Sequence, residues 1–123
     1  MQTDKNTNLE KLKEILKNFR DKRDWKQFHN PKDLAEAITI EAGELQELFL
    51  WKDKNEIIEQ IKNDKNFKEK VGKELADVII FCLNFANSTD LDVSRIILNK
   101  IKESNKKYPI RKAKGVATKY NKF

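Results

Sequence analysis

The 123-residue chain has one cysteine, one histidine, two prolines and three glycines. A single cysteine cannot close an internal disulfide, and Cys82 lies in an apolar stretch, where it is expected to pack as a small core residue in a reducing compartment. So few glycines and prolines exclude a barrel or sandwich, which must turn about every 10 residues. One histidine cannot build a nitrogen-rich metal centre. The longest apolar run, Val78 to Leu83, falls far short of the ~20 residues that cross a bilayer, and the polar N-terminus lacks the apolar centre of a secretory signal. These absences predict a soluble, cytoplasmic protein with no membrane partner. Its length allows one modest core. We expect a single domain over residues 1–123, with 1–8 and 121–123 flexible and 108–123 forming a basic extension.

Charge is abundant and unevenly placed. Lys and Arg number 26 against 20 Asp and Glu, a net of +6. From Lys100 onward there are nine basic residues and one acid, which leaves residues 1–99 at −2. The body is slightly acidic and the tail basic. A basic tail suits nucleic acid, an anionic membrane surface or a phosphorylated ligand, and composition does not choose among them.

The apolar spacing is helical throughout. Leu9, Leu12, Ile15, Leu16 and Phe19 form one face of a first helix over about 4–22. The period breaks at Asp24–His29, and Asn30-Pro31 then supplies an N-cap and a first-turn proline for a second helix running to about Lys52. Residues 56–61 read as a short helix or lid and 62–66 as a loop. A third long helix is expected over about 67–87, and a fourth over about 91–107, started by Ser88-Thr89-Asp90 and stopped by Pro109. No segment alternates like a strand. The fold class is therefore all-α, four principal helices in a bundle-like arrangement, with some apolar faces available to a dimer or tetramer interface.

Two of these helices carry acids where apolar residues belong. The seam Leu34, Ile38, Glu41, Leu45, Leu48 places Glu41 at a core position, and Glu44 lies one turn further on the same side. In the third long helix Ala76–Ala86 is apolar nearly all round except for Asp77 and Asn84, and Glu74 precedes Asp77 by one turn. A helix apolar on all sides is expected to be buried, which brings these acids into the core or onto a cavity within it. Carboxylates gathered there repel one another unless a cation lies between them. All-oxygen ligation favours a hard divalent ion, magnesium or manganese, or calcium, over zinc. Isolated Glu-x-x-Glu and Glu-x-x-Asp pairs are commonly solvated stripes, and Glu10, Glu14, Glu56, Glu59 and Glu69 keep that reading. Hard cations held by carboxylates commonly handle polyphosphates, and the tail lysines would complete the neutralisation.

Aromatic residues add a third feature. Trp25, Phe28 and His29 fall in the break before the first acidic helix, and Trp51 ends that helix beside Lys52. An aromatic between helices can stack a nucleobase, whereas one on a seam is usually core. Phe28 also suits a hydrophobic staple at the helix start, and His29 a bond to a loop carbonyl. Phe81 shares a face with Glu74 and Asp77, and spacing alone favours core packing for it.

With these residues in view the chain resembles the all-α nucleoside triphosphate pyrophosphohydrolases, the MazG-like superfamily, and most closely its dCTP pyrophosphatase branch. The resemblance is carried by Arg23-Asp24-Trp25-Lys26-Gln27-Phe28-His29, Glu41-Ala42-Gly43-Glu44-Leu45, Leu48-Phe49-Leu50-Trp51-Lys52, Glu74-Leu75-Ala76-Asp77-Val78, Tyr108-Pro109, and Lys114-Gly115 with Lys119-Tyr120. It extends from about Leu9 to Tyr120. It implies hydrolysis of a nucleoside triphosphate at the α-phosphorus to monophosphate and pyrophosphate, with dCTP or a related pyrimidine deoxynucleotide as substrate. Glu41, Glu44, Glu74 and Asp77 would be the magnesium ligands and catalytic acids, manganese being a possible substitute, with Glu41 also orienting or deprotonating the attacking water. Trp25, Phe28, His29 and Trp51 would form the base and sugar pocket with Phe81 stacking, and Lys100, Lys107 and Tyr108 would approach the phosphates. It further implies a homo-oligomer, dimer or tetramer, in which neighbouring subunits complete each site. The chain departs from the branch at Leu16, where a histidine is usual, at Phe81, where a tyrosine is usual, and at Ser104, where an asparagine is usual.

The competing reading is a non-catalytic helical module whose basic tail docks on nucleic acid or a protein partner. It leaves two acidic motifs on apolar faces without a purpose, so polynucleotide binding ranks second. A di-iron carboxylate bundle would place Glu-x-x-His motifs on its helices, and the only histidine lies in a loop.

Overall fold

The computed structural model describes residues 1–123 and is helical without strands. The helices are α1 (Leu9–Asp21), α2 (Pro31–Glu47), α3 (Lys54–Asn63), α4 (Lys65–Thr89), α5 (Val93–Lys107) and α6 (Ile110–Ala113), with single 3₁₀ turns at Lys26–Phe28 and Tyr120–Lys122. They fall into two compact units, Met1–Asp90 and Leu91–Phe123. No helix is long and apolar enough to cross a membrane.

Local side-chain chemistry sets most helix starts. The first helix begins at Leu9 and not near Asp4, because Asn6 Oδ1 accepts from the Thr3 N–H at 2.7 Å and closes a separate turn. Asn8 then caps α1 by accepting from the Lys11 N–H at 2.9 Å. Asn30 caps α2 as expected: its Oδ1 accepts from the Asp33 N–H at 3.0 Å, its Nδ2 donates to Asp33 Oδ2 at 2.8 Å, and Pro31 opens the first turn. The fourth expected helix starts two residues late. Asp90 adopts a left-handed conformation (φ 57°) that ends α4, and Asp92 caps α5 by accepting from the Arg95 N–H at 2.9 Å.

Two boundaries need correction. Residues 54–63 form a full helix, and the expected loop at 62–66 shrinks to Asp64 alone. Asp64 ends α3, and its side chain caps α4 by accepting from the Phe67 N–H at 3.1 Å. The second helix stops at Glu47: Leu48, Phe49 and Leu50 tighten into three-residue turns, and Trp51 turns left-handed (φ 62°).

In the first unit α1, α2 and α3 all pack on α4, and α2 makes the most extensive contact. Leu34, Phe67, Leu83 and Ala86 are its buried apolar residues. Phe49 meets Phe67 edge to face at 6.3 Å, and Lys52 Nζ lies 4.4 Å over the Phe67 ring while donating to Gln60 Oε1 at 2.9 Å. Asn87 Nδ2 donates to the Lys13 carbonyl at 3.0 Å, and Ser88 Oγ to the His29 carbonyl at 2.8 Å, which ties the end of α4 to α1 and to the aromatic loop.

The expectation that α4 is buried all round is not met. Leu75 and Ile79 are exposed, and so is Cys82, which is not a core residue. Packing in the single chain covers one side of α4, and the other remains apolar and open.

In the second unit α5 leads into a tail folded on its aromatics. Tyr108 meets Tyr120 and Phe123 edge to face, each at 5.9 Å. Ile97, Leu98 and Ile101 are exposed on α5.

Candidate active site: an acidic cluster beside an aromatic cavity

The helical register of α2 and α4 brings their acids together as the spacing predicts. One carboxylate oxygen each from Glu41, Glu44 and Glu74 lie within 4.8 Å of one another. Glu41 and Glu74 are half-buried and Glu44 is exposed. Burial pushes the Glu41 carboxyl above its ordinary pKa, and Glu44, Asp77 and Glu74 push it further. Burial also raises Glu74, helped by the charges of Glu44, Asp77 and Glu47. Asp77 lies outside the three-oxygen group but acts electrostatically on both glutamates. Glu47, one turn beyond Glu44, is an additional acid that the motif reading did not single out.

The residues fit a hard cation. Glu41 Oε2 and Glu74 Oε2, one from each helix, are buried without any hydrogen-bond partner. A buried carboxylate oxygen normally has a donor or a metal. Two oxygens facing each other across one magnesium stand about 4.2 Å apart, so a cluster this tight has the spacing such an ion would need.

A cavity of about 350 Å³ opens next to the cluster, lined by Leu16, Phe19, Arg20, Trp25, His29, Asp77, Ile80, Phe81 and Asn84. Asp77 lines this cavity and acts electrostatically on Glu41 and Glu74 of the cluster. The α4 part of the wall, Asp77, Ile80, Phe81 and Asn84, is one helix face at spacings of three and four. Trp25 reaches the wall through the end of α1. Asp24 adopts φ 53°, its N–H donates to the Asp21 carbonyl at 3.1 Å, and the Trp25 N–H donates to the Arg20 carbonyl at 3.0 Å. This bond pair around a left-handed residue is the Schellman end of a helix, and the apolar contact that accompanies it is Phe19 against Trp25, edge to face at 5.9 Å. Arg23 then stacks on Phe19, its guanidinium carbon 3.6 Å from the ring centre.

Besides Asp77, three polar groups stand in this largely apolar wall. Arg20 is 7% exposed, and its Nε donates to Asp21 Oδ1 at 2.8 Å. Asn84 is 8% exposed. Burial lowers the His29 pKa, with Arg20 adding to it, and His29 Nδ1 is buried without a partner. The sequence singled out Trp25, His29 and Phe81, and all three line the cavity. Arg20 was missed because a charged residue in a last helical turn reads as solvated. Asn84 was visible as a polar break in an apolar helix, two turns after Asp77, and that spacing was the available signal.

Phe28 and Trp51 are not part of the wall; Trp51 is 93% exposed. Lys100, Lys107 and Tyr108 belong to the second unit. There Lys100 and Lys107 both pair with Glu103, at 3.4 and 3.2 Å, and Lys107 Nζ lies 4.9 Å over Tyr120. The hydrogen bond to Glu103 raises the Lys107 pKa and lowers that of Glu103.

An all-helical chain whose paired acidic motifs face each other across α2 and α4 has counterparts among known proteins. The MazG-like family model matches residues 37–123. dCTP pyrophosphatase 1 of Rattus norvegicus is 35% identical over 112 residues, which cover 91% of this chain and 65% of that protein. The Homo sapiens protein of the same name is 33% identical with the same coverage. The chain thus spans about 65% of the length of these curated relatives. A crystal structure of a pyrophosphatase from Archaeoglobus fulgidus superposes with a TM-score of 0.77 at 33% identity, covering 89% of this chain and 99% of that one. The chain belongs to the MazG-like family.

Proposed function

We propose that this chain is a nucleoside triphosphate pyrophosphohydrolase that cleaves a pyrimidine deoxynucleotide such as dCTP to the monophosphate and pyrophosphate with the help of magnesium. The observation that carries this reading is the juxtaposition at Asp77 of a cation-ready carboxylate cluster and a base-sized aromatic cavity. The names of the relatives, dCTP pyrophosphatase 1 and a pyrophosphatase, support the same reaction class.

Glu41, Glu44, Glu74 and Asp77 would hold the ion, with manganese able to replace it. When bound, the ion supplies charge neutralisation on the phosphate oxygens and a more acidic water. In the reaction a water oxygen bonds to the α-phosphorus, the bond from that phosphorus to the bridging oxygen breaks, and pyrophosphate leaves. Glu41, in this cluster, would also orient the attacking water or take its proton. Trp25 and Phe81 would stack the base, as aromatic walls do for single nucleotides. His29, kept neutral by burial, offers a hydrogen bond and no charge. Lys100, Lys107 and Tyr108 are proposed as phosphate contacts, and Trp51 and Phe28 as further members of the base site.

We also assign a homo-oligomer, dimer or tetramer. The exposed apolar residues Leu75 and Ile79 on α4, and Ile97, Leu98 and Ile101 on α5, support it.

The test is to offer the purified protein each ribo and deoxy triphosphate with magnesium and to resolve the products. Monophosphate and pyrophosphate, fastest from a pyrimidine deoxynucleotide, are expected. Diphosphate and phosphate, or no turnover across the panel, would overturn the reading.

A further inference from the structure

We propose that Asn84 reads the edge of the nucleobase, with Arg20 as a second, donor-only contact in the same wall, so that the cavity selects its base by hydrogen bonding as well as by stacking. The identity of the ligand rests on the pyrophosphohydrolase reading above.

Asn84 follows Asp77 by seven residues on one face of α4, about 10 Å along the helix. Asp77 marks the end of the cavity that adjoins the acidic cluster. A ligand with its phosphates at the acids and its body in the cavity therefore extends its far end toward Asn84. The volume, about 350 Å³, lies near the small end of the ~300–1,000 Å³ range of ligand sites and suits a single-ring base with its sugar.

Asn84 is more than nine-tenths buried, and its side chain makes no hydrogen bond within the chain. A buried carboxamide that serves packing alone is normally satisfied by protein groups. This one instead opens onto the cavity, between Leu83 and Phe85 on a helix that is otherwise apolar there. A carboxamide offers an acceptor and two donors side by side. The edge of a pyrimidine carries a matching adjacent pair at N3 and the 4-substituent. In cytosine N3 accepts and the 4-amino group donates, and in uracil or thymine the roles are exchanged. Rotation of the amide meets either pattern. Arg20 is different in kind, because its guanidinium donates only and stays charged. Its Nε is committed to Asp21 at 2.8 Å, and the guanidinium makes no other hydrogen bond in the chain. The remaining N–H groups suit a carbonyl oxygen of the base.

The experiment compares wild type with Asn84→Ala and Asn84→Asp on the preferred pyrimidine triphosphate and on its pyrimidin-2-one analogue, which lacks the 4-substituent. Asn84→Ala should raise KM about tenfold, with the effect on KM and not on kcat. Asn84→Asp should raise KM further, although aspartate is the closer match in shape, because two acceptors then face an edge that always includes an acceptor. On the analogue the gap between wild type and Asn84→Ala should close to within about twofold. A purely structural asparagine predicts that Asn84→Ala loses as much on the analogue as on the full substrate, and that result would overturn the assignment. Circular dichroism checks folding, and the near-isosteric Asp variant carries the test if Ala does not fold. If wild type hydrolyses nothing, the same variants are titrated with pyrimidine nucleoside monophosphates. Binding lost in Asn84→Ala would uphold the base contact while the hydrolytic reading falls, and no binding by wild type would overturn both.

Discussion

The Trp25 N–H donates to the Arg20 carbonyl across 3.0 Å, and this one bond wraps the chain around left-handed Asp24 and lays Trp25 on Phe19. Position 24 thus controls where an aromatic wall of the cavity stands. A β-branched residue resists positive φ, so Asp24→Val should lose about 1–2 kcal/mol of stability and raise the nucleotide KM together. Asp24→Gly should keep both near wild type. Urea unfolding and steady-state kinetics on the two variants check this pairing. A stable Val variant with unchanged KM would detach the turn from the site.

Glu74→Gln separates folding from metal binding. The amide removes one of the mutually repelling charges, so the metal-free variant should melt at or above wild type. Magnesium at about 100 times its dissociation constant should raise the wild-type melting temperature by roughly 5–10 °C, and this gain should largely vanish in the variant. Scanning calorimetry with and without the ion reads both effects. Retention of the full gain would remove Glu74 from the metal site.

The raised carboxyls fix a sign for pH dependence. Glu41 and Glu74 bind protons more readily when folded than when unfolded, so their effect on stability is favourable at low pH and is lost as pH rises from the ordinary value of 4.5 through the raised values. His29 acts oppositely, with stability present above 6.5 and lost as pH falls below it toward its depressed folded value. The carboxyl contribution is therefore read as the difference between wild type and a Glu41→Gln, Glu74→Gln double variant across a pH series. Without metal, wild type should lose ground to the double variant as pH rises. Magnesium should flatten that difference, since the ion competes with protons.

Trp51 combines φ 62° with 93% exposure, an uncommon conformation for a bulky side chain that packs on little. Trp51→Asn should gain about 1 kcal/mol in unfolding experiments, because asparagine tolerates left-handed backbone. If Trp51 folds over a bound base, the same variant should raise KM several-fold. An unchanged KM would withdraw it from the base site.

Leu98→Lys tests assembly. Light scattering after size exclusion should show wild type as a dimer or tetramer, and the variant shifted toward monomer with its helicity intact. A monomeric wild type would refute the oligomer.

The helical class, the α2 cap at Asn30-Pro31 and the meeting of Glu41, Glu44 and Glu74 were legible in the sequence because each depends on spacing within a helix or on one local bond. Boundaries governed by competition between local bonds were not. Asn6 ends a turn of its own before α1, and Asp64 does in one residue what a loop was expected to do in five. The open side of Cys82 was hidden for another reason: apolar composition marks a face that disfavours water without showing whether the chain itself packs against it. Arg20 became visible as a cavity residue only in three dimensions, where it shares one wall with Asp77, Ile80, Phe81 and Asn84 of α4.

Asp64 closes α3 and opens α4 with no residue to spare, and the Lys52–Gln60 bond holds α3 a second time. A joint of one residue has no slack. To swing α3 the chain would have to unwind the first turn of α4 and release the Phe67 N–H from its cap. Residues 54–63 are thus a strut and not a gate.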